Sequence, residues 1–278
     1  MVTPLAVTAL LLTPAEQRGS GVLLHRASGG LWLVTNRHVV EGLDQICVRT
    51  GDGRFWPGTV VLPSRSASLD LAFVWMAGQV DTLPLADTSA STVPDSSGSG
   101  RTWEYPIVRA SGYPVPEERQ GRAPIYRELK GLLLPLLPRP LEGGLLLAST
   151  SPVQKGMSGG GLFDQQGRLI GLNTTHADPL WSAPLRDESG QMLSAQLNRQ
   201  LELVALAIPT SRVLPLLATL TPPAGPDRTR APAAGSAAKG SSPAASSVPG
   251  RPAGQPLLTA AVATKPGVTP PVCPEGLW

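Results

Sequence analysis

The amino-acid sequence predicts an all-β protein, an antiparallel barrel or sandwich, and three observations support that prediction. Short apolar segments of strand length recur along residues 1–220. Glycine, proline and polar residues separate these segments at short intervals. Only residues 212–220 follow a helical pattern, and Pro215 weakens it. Many short strands with polar turns and almost no helix are typical of antiparallel barrels and sandwiches.

Six strands are predicted in the first part of the chain. An apolar run opens it, and glycine and serine at residues 19–20 and 28–30 turn the chain into the next two strands. The sequence GDG at residues 51–53 marks a hairpin turn. These predicted strands are residues 7–12, 21–24, 31–35, 45–50, 56–62 and 71–76.

Six more strands are predicted after residue 106. The polar loops at residues 91–100 and 117–121 are each followed by further strands, so neither is interpreted as a linker between independent domains. The turn QQG separates two of the later strands, and Pro209 ends the last one. These predicted strands are residues 107–111, 132–137, 145–150, 161–164, 168–174 and 204–208.

The composition changes at Thr221 to proline, alanine, glycine and serine, with almost no large apolar side chains. Such a segment cannot bury enough apolar surface to offset the entropy lost on ordering. The sequence therefore predicts a folded region over residues 1–220 and a disordered tail over residues 221–278. We expect this tail to be protease-sensitive and its Cys273 to react freely with thiol reagents.

Charge, hydropathy and cysteine content exclude several classes of protein. The net charge is +3 and the basic residues are scattered, so nucleic acid is not an expected partner. No run reaches the roughly 18 apolar residues of a membrane-spanning helix, so no integral membrane segment is expected. The two cysteines do not predict a disulfide framework, and Cys47 is interpreted as a core residue.

Three motifs place a histidine, an aspartate and a serine in that order along the chain. His38 follows an apolar strand in LWLVTNRHVVEG, and Asp70 begins one in SASLDLAFVWM. A carboxylate among apolar neighbours is costly to bury unless it is paired, and His38 is an available partner. Ser158 lies in KGMSGGGLF. Because a nucleophilic serine needs a base and the base needs an orienting carboxylate, His38, Asp70 and Ser158 are predicted to be catalytic.

The glycines around Ser158 indicate the same chemistry. Runs of glycine are normally avoided in core segments because glycine loses the most backbone entropy on folding. Since Gly156 and Gly159 lack side chains, backbone N–H groups can converge on a substrate oxygen, as in an oxyanion hole. A bulged turn is the structural alternative, but it does not explain why histidine and aspartate motifs precede it in the matching order.

Together these motifs resemble those of bacterial trypsin-like serine peptidases, above all the protease domains of the HtrA/DegP type. Four segments match family motifs in the family order over about residues 7–220: GSGVLL…LVTNRHVVEG, LDLAFV, KGMSGGGLFDQQGRLIGLNT and ALAIPTSRV. Two features depart from the family pattern. Gly161 stands where proline or alanine is usual, and no PDZ domain is expected after residue 221.

The resemblance implies the chymotrypsin fold, with two six-stranded antiparallel β-barrels over about residues 1–88 and 103–220. It implies a serine endopeptidase that acts on polypeptides, with His38, Asp70 and Ser158 as its triad. The N–H groups of Gly156 and Ser158 would form the oxyanion hole. No cofactor is required, and no cluster of cysteine and histidine residues offers a metal site.

The resemblance also places a specificity pocket. Its floor would lie at Pro152 and Val153, and its walls at Leu172, Asn173 and Thr174 and at residues 204–207. A cationic side chain would find no acidic partner at this floor. We therefore expect cleavage after small or aliphatic residues rather than after lysine or arginine.

Compartment and oligomeric state are not indicated by the sequence. No basic residue precedes the apolar stretch of MVTPLAVTALLLTPAEQ, and no small-residue cleavage site follows it, so no complete signal peptide is present. Export to the periplasm is expected only if the true start lies upstream.

The sequence motifs allow two other interpretations of the protein. GMSGG also fits the G-x-S-x-G elbow of α/β-hydrolases, but a helix should follow that elbow, and strands are predicted at residues 161–164 and 168–174. The other interpretation is a catalytically weak or inactive trypsin-fold protein that serves as a peptide-binding or scaffold module. One triad residue is usually replaced in such proteins, whereas all three residue types are present here.

Overall fold

The computed structural model describes residues 2–13, 17–63, 68–78, 80–89, 105–115, 124–175, 185–223 and Cys273. Within these ranges the regular structure consists of twelve β-strands and four short helices. The predicted all-β fold is therefore confirmed. Apart from residues 221–223 and Cys273, the predicted disordered tail lies outside the described residues.

The first six strands close into an antiparallel barrel. They are β1 (Thr8–Leu12), β2 (Gln17–Ala27), β3 (Gly30–Thr35), β4 (Gln45–Arg49), β5 (Phe55–Val61) and β6 (Ala72–Ala77). Their order around the barrel is β1-β2-β3-β6-β5-β4. β2 is longer than the predicted residues 21–24 at both ends, because residues 17–20 pair with β1 and residues 25–27 continue to pair with β3 up to the turn at Gly29.

The next six strands close into a second antiparallel barrel. They are β7 (Ile107–Gly112), β8 (Arg127–Leu134), β9 (Leu147–Ser149), β10 (Gly161–Phe163), β11 (Leu169–Thr175) and β12 (Ala205–Pro209). Their order is β10-β11-β12-β9-β8-β7. β8 begins before the predicted residue 132, since its charged segment RELK pairs with β7 without an apolar pattern to reveal it. The two six-stranded barrels that the resemblance implied are confirmed.

The helices are short; one precedes the first strand, and the others lie between or after the strands. They are α1 (Pro4–Val7), α2 (Arg37–Val40), α3 (Ala195–Leu201) and α4 (Thr210–Leu217). α4 corresponds to the helix predicted at residues 212–220. The sequence did not predict α3, whose only buried side chain is Leu201 and which begins at Ser194, where the hydroxyl accepts the N–H of Leu197. No helix in the described ranges is long and apolar enough to cross a membrane.

Apolar side chains fill each barrel and also the space between them. In β3 all six residues are buried. Leu31 and Leu33 pack inside the first barrel, whereas Trp32 and Val34 join a cluster that includes Leu172 of the second barrel. Because successive side chains of a strand point to opposite faces, β3 buries both faces and therefore appears as a continuous apolar run. Each large side chain so buried contributes about 1.5–3 kcal/mol.

The structure corrects the prediction that the two cysteines form no disulfide. Cys47, in β4, forms a disulfide with Cys273, and their Cα atoms lie 5.6 Å apart. Cys47 packs beside Tyr113 and Tyr126 at the edge of a buried cluster. Cys273 is therefore not a free thiol, and the prediction that it reacts freely is wrong. The bond was missed because a proline-rich, low-complexity segment gives no local signal of a partner 226 residues away.

Loss of this disulfide is expected to lower the free energy of unfolding by several kcal/mol. The bond joins residues 226 apart in sequence, and the loop-closure model gives about 5 kcal/mol for a loop of that size. Cys273→Ser is the cleaner variant, because Cys47 also packs in the barrel. Urea unfolding of the wild type with and without reductant, and of Cys273→Ser, measures the loss. Reductant should not destabilise the variant further, and alkylation of Cys273 in the native, unreduced protein would contradict the assignment.

Candidate active site

The strand pairing of the first barrel brings His38 and Asp70 together. Thr35 at the end of β3 lies opposite Ala72 at the start of β6, so the residues just beyond these ends are neighbours. The single turn of α2 then places His38 so that its ring Nδ1 is 2.7 Å from Asp70 Oδ2. The backbone N–H of His38 donates to Asp70 Oδ1 at 3.0 Å. One carboxylate thus fixes both the position and the orientation of the imidazole.

The backbone of Asp70 is held by residues from both barrels. Its N–H donates to the carbonyl of Gly143, in the second barrel, at 3.0 Å. The side-chain amide of Asn36 donates to the Asp70 carbonyl and to Thr174 Oγ1, each at 3.0 Å. The Asp70 side chain is 21% exposed and that of His38 is 48% exposed, so the imidazole remains accessible from solvent.

Ser158 lies on a tight turn that precedes β10 and packs against the first barrel. Its carbonyl accepts the N–H of Ser20, on β2, at 2.9 Å. Gly159 has φ +82°, and a Cβ there would collide with the carbonyl of Ser20 and the hydroxyl of Thr35. A Cβ on Gly160 would collide with the Ser111 carbonyl. The glycine run is therefore required by the close approach of the serine turn to three neighbouring strands, β2, β3 and β7.

The hydroxyl of Ser158 donates to the carbonyl of Thr174 at 3.2 Å. No hydrogen bond joins Ser158 and His38, both of which lie in the described ranges. To give its proton to the imidazole, the serine hydroxyl must turn away from Thr174. Long or misaligned catalytic hydrogen bonds are common in ligand-free sites and tighten when substrate binds.

Two backbone N–H groups of the serine turn are held in fixed directions. Within the described residues, the N–H groups of Gly156 and Ser158 have no hydrogen-bond acceptor. The carbonyl that precedes each is held: that of Lys155 by the N–H of Val115 at 2.8 Å, and that of Met157 by the N–H of Gly160 at 3.0 Å. Because N–H and C=O point in opposite directions in a trans peptide, these contacts fix the direction of both donors.

The residues predicted to form the specificity pocket differ in their surroundings. Pro152 is exposed, and Val153 is buried in an apolar cluster with Ala205 and Ala207. Leu172 is fully buried between two strand neighbours. Val153 thus lies in the apolar core of the second barrel, and strand pairing on both sides leaves Leu172 no free edge for a substrate strand.

Asn173 and Thr174, also predicted to bind substrate, have different roles in the site. The side-chain amide of Asn173 donates to the carbonyls of Ser111 and Gly161, at 3.0 and 3.1 Å, so it supports the serine turn from behind. Thr174 is bonded to Ser158 through its carbonyl and to Asn36 through its hydroxyl. Of the predicted wall residues in β11, Thr174 is the one that the structure places against Ser158.

Sequence reasoning missed several residues that support the site. Ser20, Asn36 and Val115 hold the serine turn or the aspartate through hydrogen bonds to backbone or side-chain groups. The available signal for Ser20 was a serine between two glycines at the start of an apolar strand, and for Asn36 its place two residues before His38. Neither signal indicates which distant group is bound.

This chain matches one protein family and several curated proteins. Residues 19–172 match the protein family described as "Trypsin-like peptidase domain", a stretch that includes His38, Asp70 and Ser158. The chain is 26% identical over 168 residues to a probable periplasmic serine protease do/HhoA-like of Haemophilus influenzae, covering 58% of this chain and 31% of that protein. It is 28% identical over 169 residues to the periplasmic serine endoprotease DegP of Salmonella typhimurium, covering 58% and 30%. The chain thus spans about a third of the length of these relatives.

A solved structure of an HtrA-type protease, AlgW with a tripeptide, has the same fold. It superposes with a TM-score of 0.51 at 24% identity, over 78% of this chain and 60% of that chain. At this identity the match supports the double-barrel fold alone.

Proposed function

The chain belongs to the family of trypsin-like peptidase domains, and we propose from this that it is a serine endopeptidase whose peptidase domain spans about residues 1–220. The observation that supports the proposal is a chain of hydrogen bonds that runs from His38 to Asp70, on to Asn36 and Thr174, and from there to Ser158 on its glycine turn. With two N–H groups of that turn that have no acceptor in the described residues, the set offers a base, a nucleophile and oxyanion donors for acyl transfer.

In this proposal, Ser158 attacks the scissile carbonyl while His38 takes its proton through Nε2. Asp70 keeps Nδ1 protonated and stabilises the imidazolium that forms. The carbonyl oxygen becomes an oxyanion that accepts hydrogen bonds from the N–H groups of Gly156 and Ser158; each such donor typically supplies about 2.7–4 kcal/mol. His38 then protonates the leaving amine, and water hydrolyses the acyl-enzyme by the same steps in reverse.

The alternative is a trypsin-fold protein that binds peptides without cleaving them. The bond from the Ser158 hydroxyl to the Thr174 carbonyl is the observation in its favour, because this serine is not bonded to the base. The two free N–H groups favour the peptidase, since peptide binding without chemistry does not require them. Incubation of the purified chain with casein, followed by mass spectrometry of the products, separates the two. The peptidase produces fragments that Ser158→Ala does not, whereas a binding module leaves casein intact in both.

We propose a preference for small or aliphatic side chains on the acyl side of the cleaved bond. The apolar cluster around Val153, Ala205 and Ala207 supports it. The buried Asp187 is not free to serve a cationic substrate, since it accepts the Ser189 hydroxyl at 2.6 Å and pairs with Arg139 at 2.9 Å. Asp178, which precedes Asp187 by nine residues, lies outside the described residues.

A peptide library with every residue type at the cleaved position tests this preference. We expect the rate to be highest after valine, alanine or leucine and to change in graded steps, because one methylene is worth about 1–3 kcal/mol in an apolar pocket. Peptides with lysine or arginine at that position should be poor substrates. A dominant preference for arginine or lysine would show that an acidic side chain reaches the pocket.

We also propose that the protein works in an oxidising compartment outside the cytoplasm. Disulfides persist mainly in such compartments, and Cys47 and Cys273 form one here. Several relatives are named as periplasmic. Trapping of thiols in intact cells, combined with fractionation and N-terminal sequencing of the native protein, tests the proposal. A reduced Cys47 in a cytoplasmic fraction would contradict it.

A further inference from the structure

We propose that Ser20 is a positioning residue whose hydroxyl holds the oxyanion loop, defined here as residues 155–158, in its catalytic geometry. The inference rests on the proposed function, because it assigns a role within that active site. Ser20 lies on β2 of the first barrel, whereas the oxyanion loop belongs to the second barrel. Its hydroxyl therefore joins the barrel that carries the base to the loop that carries the nucleophile.

All four polar functions of Ser20 are engaged, and the residue is completely buried. Its N–H donates to the carbonyl of Ser158 at 2.9 Å, and its carbonyl accepts the hydroxyl of Thr35 at 2.7 Å. Its hydroxyl donates to the carbonyl of Gly156 at 2.8 Å and accepts the N–H of Tyr113 at 2.9 Å. Since Tyr113 occupies the acceptor side of the hydroxyl, the proton is directed at Gly156.

The contact with Gly156 matters because Gly156, as a glycine, has the widest choice of backbone conformations in the loop. Its φ of +93° lies in the region that glycine adopts freely and other residues avoid. The Val115 N–H holds the carbonyl on the N-terminal side of Gly156, and the Ser20 hydroxyl holds the carbonyl on its C-terminal side. With both flanking peptide planes fixed, both backbone dihedral angles of Gly156 are fixed, and so is the direction of its N–H.

Removal of the Ser20 hydroxyl would take away the side-chain donor of the buried Gly156 carbonyl. The peptide plane that follows Gly156 would keep one contact, the Met157 N–H on the Gln154 carbonyl at 3.0 Å. Because a buried polar group without a partner is costly, the loop would rearrange to satisfy this carbonyl. The plane lies between the Gly156 and Ser158 N–H groups, so its rotation would change their position relative to each other while leaving the His38–Asp70 pair intact.

The test compares Ser20→Ala with a matched control, Thr50→Val. Thr50 is also a buried hydroxyl in the first barrel, and its bonds go to Asp52, Arg54 and Trp56, far along the chain from the oxyanion loop. Three quantities are measured for each variant: kcat and KM with a cleaved peptide, the affinity for a peptide boronic acid that forms a tetrahedral adduct, and the amide NMR resonances of Gly156 and Ser158.

For Ser20→Ala we expect kcat to fall about tenfold or more with KM within twofold, since outright loss of an oxyanion donor costs about 10²–10³. Boronate affinity should fall by the same factor as kcat/KM, and the Gly156 amide resonance should move. Thr50→Val should lose stability but keep wild-type kcat, boronate affinity and amide resonances. Equal effects of the two variants on kcat would overturn the proposal by showing a purely structural role.

The NMR measurement keeps this proposal separate from the proposed function. If the wild type neither cleaves peptides nor binds the boronate, the proposed function fails, whatever Ser20 does. In that case the Gly156 and Ser158 resonances still decide the role of Ser20: a shift confined to Ser20→Ala supports it, and unchanged resonances refute it.

Discussion

Ser158→Ala is expected to lower kcat for peptide hydrolysis by about 10⁶-fold, the loss seen when the nucleophile of a serine protease triad is removed. The serine, the imidazole and the carboxylate act as one unit, so their losses should not add. The double variant Ser158→Ala with His38→Ala should therefore be almost as active as Ser158→Ala alone. Steady-state kinetics on one cleaved peptide, at protein concentrations high enough to detect residual turnover, measures both.

The exposed Ser89, whose backbone N–H donates to Asp87 Oδ1 at 2.9 Å, supplies the control. Ser89→Ala should keep the wild-type rate, because this serine has no contact with the site residues. Wild-type turnover by Ser158→Ala would show that the nucleophile is another group.

Asp70→Asn is expected to lower kcat by about 10⁴-fold with little effect on folding. The His38 N–H needs an acceptor at the position of Asp70 Oδ1, so the amide oxygen of asparagine will take that place. Its NH₂ group then faces Nδ1 of His38, which must accept a hydrogen bond instead of donating one. The ring is held in the tautomer with a proton on Nε2, and it cannot take the proton of Ser158.

The same substitution at Asp81, which is 82% exposed and pairs with Arg26 at 3.6 Å, is the matched control. Asp81→Asn should leave kcat unchanged. Circular dichroism should show that Asp70→Asn remains folded, since both hydrogen bonds to His38 keep a partner. A rate for Asp70→Asn within tenfold of the wild type would mean that this carboxylate does not set the tautomer.

The parts of the structure that the sequence predicted are those with a local signature. Apolar strand segments between turn residues gave twelve strands in nearly their observed places, because each buries at least one face. Asp70 was paired correctly with His38, since a carboxylate among apolar residues needs a partner and few were available. The glycines at Ser158 were interpreted as giving a substrate oxygen access to the backbone, and the structure adds a second reason for them, since Gly159 and Gly160 pack tightly against neighbouring strands.

The parts that were missed depend on contacts between distant segments. The bond from Ser20 to Gly156 joins residues 136 apart in sequence, and the disulfide joins residues 226 apart. A serine in a strand or a cysteine in a proline-rich segment shows nothing of such a partner. Leu172 was expected to line the pocket, yet its burial between two strands depends on the barrel closing around it.

The proposed peptidase activity requires Ser158 to be an activated nucleophile, and labelling with a fluorophosphonate tests this activation without a substrate. The reagent forms a covalent bond with a serine that a neighbouring base has activated, and it requires no knowledge of the natural substrate. We expect one label per native chain, mapped by mass spectrometry to Ser158. Labelling should be greatly slowed in Asp70→Asn and absent after denaturation. A native, folded protein that takes no label, or takes it at a different serine, would contradict the claim.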